Sequence, residues 1–149
     1  MKISDKLKKI RSLMKNFSID CYLIPHSDEF SNEFLPPYSR RLEWISEFTG
    51  SAGDIIITNK KAYLFVDGRY TIQASQEVDS NHYQIFNYKD KSVLDLLTKI
   101  MKNQNVLGFD GNIEKFKKIE ILQKKLGKDI KIKPVNSNLI DLIWKNRPK

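Results

Sequence analysis

The sequence predicts an α/β domain, a mixed, roughly six-stranded sheet flanked by helices on both faces. Two patterns carry that expectation. Segments with apolar residues at helical steps of three and four alternate along the chain with short apolar runs. The runs in GDIIITNKKAYLFVDG also fail to alternate with polar residues, as expected of strands covered on both faces. At 149 residues the chain has the length of one domain and can bury a core of its own.

The elements follow in order. Ile3, Leu7, Ile10, Met14 and Phe17 mark one face of an opening amphipathic helix. CYLIP (Cys21 to Pro25) reads as a short buried strand, followed by the polar, turn-rich stretch HSDEFSNEFLPPY. Pro36-Pro37 stops that stretch, and Ser39 is placed to cap a helix running through Phe48 and ending at Gly50. Two apolar strands then flank a hairpin turn at Asn59-Lys60. After Asp67-Gly68 a helix runs to about Val78, with a strand at Tyr83 to Phe86 beyond it. Ser92 caps a helix bearing Val93, Leu96, Leu97 and Ile100. A strand at Val106 to Asp110 precedes a lysine-rich helix whose buried side is assigned to Phe116, Ile119, Leu122 and Leu126, and a last strand covers Ile130 to Ile132. The closing NLIDLIWKNRPK ends in a polar, proline-containing tail, so the domain is expected to span 1–140 and a linker to start at 141–149.

Composition excludes several classes. Hydrophobic residues at 40% and 16 aromatics are too many for a disordered chain. A single cysteine, Cys21, allows no internal disulfide and no cysteine-based zinc site. No apolar run approaches a membrane span, and the N-terminal MKISDKLKKIRSLMKNF carries charges where a secretory signal would be apolar, so a cytoplasmic domain without membrane contact is expected. The net charge of +8 is concentrated in Lys115 to Lys133, where eight lysines meet only Glu120 and Asp129. Such a stripe could attract nucleic acid, but it lacks arginine and stacking aromatics, and a solvated helix face explains it as well.

Little in the chain looks like reaction machinery. His26 and His82 lie in unrelated segments without ligand spacing, and no Ser-His-Asp order is present. Gly50-Ser51-Ala52-Gly53 is not a phosphate cradle, because a helix precedes it and a strand follows; small residues there suit a tight, close-packed turn. Asp67-Gly68-Arg69-Tyr70 is better placed, at the end of a strand, where α/β sheets commonly hold ligands. Arg69 could present its guanidinium to a carboxylate, or Asp67 could simply cap the helix while Arg69 makes an internal ion pair. A metal-dependent nuclease is disfavoured, since the first strand has no acidic residue and Asp67 and Asp110 lack a third partner.

The ordered set RRLEWISEFTGSAG, DGRYTIQA and NLIDLIW closely resembles the amino-terminal domain of Xaa-Pro aminopeptidases (aminopeptidase P), in the creatinase/prolidase superfamily. The chain departs from that pattern at Glu47, where a small residue, usually glycine, is expected. It departs again at Phe30 and Phe34, where histidine and tyrosine are common. The resemblance implies a ribonuclease-H-like fold and the non-catalytic first domain of a cytoplasmic enzyme. That enzyme releases the N-terminal residue of a peptide when proline is second. Its two divalent metals, commonly manganese, would be held by a following domain, and no position of this chain matches those ligands. Following domains, a homodimer mate and the Xaa-Pro peptide are the implied partners. Arg41 and Arg69 are then the candidates for interdomain or substrate-facing contacts, with Gly50, Ser51 and Gly53 shaping the adjoining loop. Asp67, Gly68 and Tyr70 complete the motif as structural residues. The competing expectation is a stand-alone interaction module that binds nucleic acid through Lys115 to Lys133.

Overall fold

A hairpin seeds the sheet. In the computed structural model, which describes residues 1–149, Thr58 turns the chain between β2 (Asp54–Thr58) and β3 (Ala62–Val66). Its Oγ1 accepts the Lys61 N–H at 2.9 Å, and its own N–H donates to the Lys61 carbonyl at 2.9 Å. β1 (Cys21–Pro25) adds antiparallel to β2, with Leu23 opposite Ile56. The remaining strands add parallel: β4 (Gln84–Asn87) to β3, β5 (Val106–Asp110) to β1, and β6 (Lys131–Val135) to β5. The order is β4-β3-β2-β1-β5-β6, with only β2 reversed. The six-stranded mixed sheet expected from the sequence is therefore present, and its form is that of a ribonuclease-H-like domain.

Both faces are covered, which is why β1, β2 and β3 do not alternate. Tyr22, Ile24, Ile55, Ile57, Leu64 and Val66 pack beneath α1 (Ile3–Asn16), α2 (Arg41–Ser46), α3 (Thr71–Glu77) and α6 (Leu139–Ile143). Leu23, Ile56, Tyr63, Phe65, Leu107 and Phe109 meet α4 (Val93–Ile100) and α5 (Phe116–Leu126) on the other side. Successive side chains of one strand thus enter two different cores. Close packing reaches the backbone in β5, where a Cβ on Gly108 would lie 2.6 Å from Ile19 Cδ1. Ser92 caps α4 as expected, in a reciprocal box with Asp95.

Several boundaries differ from expectation. Ser39 does not cap α2: it ends a 3-10 turn, Pro37–Ser39, and its buried hydroxyl has no partner. The helix starts at Arg41 and stops at Ser46, where Glu47 takes a left-handed conformation with φ at 67°. That backbone explains why glycine is the customary residue at this position. Phe116 belongs to the exposed end of α5 rather than its buried side, with 80% of its surface open. The last strand is displaced, since Ile130 precedes β6 and the strand continues to Val135. At the C-terminal end, α6 crosses the expected boundary at 140: Ile143 joins the core, Trp144 stacks on Trp44 at 5.4 Å, and Arg147 donates to the Tyr38 carbonyl at 2.7 Å.

Candidate functional site

Because five of the six strands run the same way, their carboxyl ends gather loops on one edge. There the chain passes through 26–35 after β1, 67–70 after β3, 88–92 after β4 and 111–115 after β5. Residues 47–53 join them on the way into β2. The order of strands reverses between β1 and β5, and beside this point a crevice is lined by the end of β1, the turn into β2, Tyr88 and the turn that follows β5.

Local hydrogen bonds set each loop. Asp28 is buried and ties down its own loop: Oδ1 accepts the N–H groups of Phe30 and Asn32, both at 3.0 Å, and Oδ2 accepts Asn32 Nδ2 at 2.8 Å. Burial opposes ionisation of this carboxyl, but those donors outweigh it and hold it below its usual range. The His26 N–H donates to the Gly53 carbonyl at 2.9 Å, and its Nε2 donates to the Glu33 carbonyl at 2.8 Å. Phe30 and Phe34 stand on this loop with 76% and 79% of their surface exposed.

The FTGSAG and DGRY motifs are bound to each other. Phe48 is fully buried and meets Tyr70 edge to face, at 5.8 Å and 84°. The Ser51 and Tyr70 hydroxyls are hydrogen-bonded, while Thr49 donates to Glu77 through its N–H at 3.0 Å and its Oγ1 at 2.7 Å. A Cβ on Gly50 would sit 2.3 Å from Phe48 Cζ, and one on Gly53 would lie 3.1 Å from the Phe65 carbonyl oxygen. Both glycines are there for close approach. Asp67 accepts the Arg69 N–H at 2.9 Å, capping the 3-10 turn Gly68–Tyr70. The same carboxylate pairs with the Arg69 guanidinium at 2.9 and 3.2 Å. Cap and ion pair therefore coexist, and Arg69 remains 71% exposed. Gly68 has only an ordinary contact, to Asn87.

Arg41 lies elsewhere. Only 3% exposed, it donates through Nε and Nη2 to the two oxygens of Asp141 at 2.8 and 3.0 Å, with Glu29 at 3.7 Å. It ties α2 to α6 instead of projecting across a cleft, and the structure does not bring it beside Arg69. Asp110 is also occupied internally, by Asn138 and the Asn112 N–H, each at 2.9 Å. No three His, Cys, Asp or Glu side chains are grouped to hold a metal ion, so the donor set that a dinuclear centre needs is not built from these residues. His82 lies 3.9 Å from Asp79, and burial pushes the Cys21 thiol up to about 12.

The sequence reading missed a charged group that the fold assembles inside the crevice. Lys118 Nζ donates to Asp54 Oδ1 at 2.6 Å and to Glu114 Oε1 at 3.1 Å, and the Tyr88 hydroxyl donates to Asp54 Oδ2. Burial works against the Lys118 charge, but Asp54 and Glu114 outweigh it and hold the ammonium above its ordinary value. The one local signal was the i, i+4 spacing of Glu114 and Lys118; Asp54 is 64 residues distant from Lys118. Two other members of the lysine stripe, Lys131 and Lys133, lie on the edge strand β6 beside Pro134, where charge and proline block edge-to-edge pairing.

The family is decided by a match over residues 6–143 to the Creatinase/Prolidase N-terminal domain. The chain belongs to that family. Among similar creatinase-type proteins, the Probable Xaa-Pro aminopeptidase P of Laccaria bicolor is 36% identical over 97% of this chain and 23% of its own length. The crystal structure of X-prolyl aminopeptidase from Caenorhabditis elegans, described as a cytosolic enzyme with a di-nuclear active site, superposes with a TM-score of 0.93 and 30% identity. The match covers 100% of this chain and 26% of that one. The N-terminal domain of the cytoplasmic peptidase PepQ from Mycobacterium tuberculosis shares the fold, with a TM-score of 0.70, 20% identity, and 93% and 98% coverage. This creatinase-type chain spans about a quarter of the length of the aminopeptidases it matches.

Proposed function

We propose that this creatinase-type domain is the non-catalytic first part of a Xaa-Pro aminopeptidase, shaping the approach to a metal centre carried by a following domain. One observation carries the reading: the whole chain superposes on a quarter of an X-prolyl aminopeptidase whose active site is described as di-nuclear, and its own acidic and histidine side chains form no metal-binding group. The substrate is a peptide with proline second. The metals, manganese by preference, the homodimeric assembly and the cytoplasmic setting belong to the same proposal. The loop edge suits contact with the rest of such an enzyme. Phe30, Phe34 and Phe116 leave an unusual amount of aromatic surface open, and Arg69 stands among exposed loops, held in plane by Asp67 and suited to a carboxylate.

The test is Arg69→Ala in the full-length protein. The expected result is a fall in kcat/KM on Xaa-Pro peptides of about tenfold, the equivalent of one charge-assisted hydrogen bond, with the melting temperature of this domain unchanged. Unchanged kinetics would remove Arg69 from the contact surface. Hydrolysis of a Xaa-Pro peptide by the 149-residue chain alone with Mn²⁺ would overturn the non-catalytic reading itself.

A further inference from the structure

The crevice between β1 and β5 holds an unbalanced set of charges. Asp54 is complete, with the Tyr88 hydroxyl on Oδ2 and Lys118 Nζ on Oδ1. Glu114 is not: Oε1 shares the same ammonium, while Oε2 is buried and has no hydrogen-bond partner. Two carboxylates therefore divide one positive charge, around a Glu114 side chain that is only 2% exposed. Burial accordingly pushes the Glu114 carboxyl up, against the opposing pull of Lys118. The rim does not correct the imbalance. Glu33 and Lys115 are exposed and of opposite sign, and His26 Nε2 is taken by the Glu33 carbonyl. The crevice has a volume of about 440 Å³, is lined mostly by polar residues and includes Glu114 in its wall. That is room for a small polar group, within the usual range for ligand sites of roughly 300–1,000 Å³.

We propose that this crevice binds a primary ammonium group, with Glu114 Oε2 as its acceptor. One positive charge matches the one uncompensated negative charge, and an N–H donor reaching the crevice wall satisfies the buried oxygen that the fold leaves unpaired. A divalent metal ion fits poorly, because its two charges exceed the one uncompensated negative charge, and Lys118 and Tyr88 already occupy the other carboxylate oxygens it would need. The ammonium could be the α-amino group of a peptide or the ε-amino group of a lysine from another part of the assembly. The chemistry is shared, and the reading does not rest on peptidase activity.

Two-dimensional amide NMR of the chain tests this. The probes are glycinamide, an α-ammonium, and Nα-acetyl-lysinamide, an ε-ammonium. With at least one of them, the amides of Tyr88, Glu114 and Lys115 should shift saturably at millimolar concentration, and the more effective probe identifies the source. Neutral N-acetylglycinamide should leave them in place. Glu114→Gln keeps the shape and removes the charge, and should weaken binding at least about tenfold. The proposal is overturned if neither ammonium saturates these amides, if the neutral probe acts equally well, or if Glu114→Gln binds as tightly as the native chain. Should that variant fail to fold, the comparison of charged and neutral probes on the native chain decides by itself.

Discussion

Asp141→Ala is expected to destabilise the domain far more than an ordinary surface substitution. Asp141 accepts both forks of Arg41, at 2.8 and 3.0 Å, and Arg147 Nη1 at 2.9 Å. With Asp141 gone, the Arg41 guanidinium, 3% exposed in the native fold, has as its nearest counter-charge Glu29, 3.7 Å away and itself 42% exposed. Arg41 Nη1 is already without a partner. Breaking a buried pair from one side costs about 3–5 kcal/mol. The exposed Glu29 recovers at most about 1 kcal/mol, which leaves about 2–4 kcal/mol. For a domain of this size each kcal/mol lowers the melting temperature by about 2–4 °C, so thermal unfolding followed by circular dichroism should show a fall of roughly 4–16 °C. The double variant Arg41→Met/Asp141→Leu should recover most of that loss, because neither charge is left stranded. An Asp141→Ala domain within about 1 kcal/mol of native would place the contact among weak surface pairs. A double variant no better than the single one would show that lost packing, not a stranded charge, is responsible.

Three further outcomes follow from the loop edge. Gly50→Ala should destabilise by about 1–3 kcal/mol in chemical denaturation, since its Cβ would overlap the Phe48 ring; a native-like midpoint would show that Phe48 can move. Glu47→Gly should raise stability by about 0.5–1 kcal/mol, the relief of left-handed strain less the added chain entropy, and a lower melting temperature would contradict this. Burial opposes ionisation of Glu77, but donors from Thr49 and Gln73 hold its carboxyl below the usual range. Its stabilising contribution is therefore full above the unfolded value and fades as pH falls through the depressed folded one. Glu77→Gln should melt lower than native at neutral pH, with the gap closing below about pH 4; a gap constant with pH would rule out the linkage.

Periodicity was enough to find the elements because each helix buries one side, and because the covered strands lose their alternation for a physical reason. Boundaries were harder to read where a side chain and its backbone conflict. Glu47 occupies a left-handed cap without being glycine, and Ser39 offers a capping hydroxyl that the turn at Pro37 directs elsewhere. The polar, proline-containing tail did not show that Asp141 and Arg147 are paired within the fold. The pairing of Arg41 with Asp141 was not legible either, since 100 residues separate them. The Asp54–Lys118–Glu114 group could not be foreseen, since only sheet register brings the start of β2 beside the turn that follows β5.

The recognisable motifs and the exposed chemistry of this domain are different sets of residues. Phe48, Gly50, Ser51, Gly53 and Tyr70 carry the family pattern, and each is consumed in holding one loop against another. Residues committed in this way can recur wherever the loop edge must keep its shape, whatever approaches it. What the edge offers outward is Arg69 from the motif set, with Phe30, Phe34 and Phe116 from outside it. Two of these, Phe30 and Phe34, are positions where the resemblance leads one to expect histidine and tyrosine. Replacing polar rings with phenyl groups on a loop pinned by Asp28 changes what the edge can contact without altering the scaffold beneath it. The motifs therefore report the frame, and differences in recognition between this domain and its relatives should map to the exposed aromatic positions.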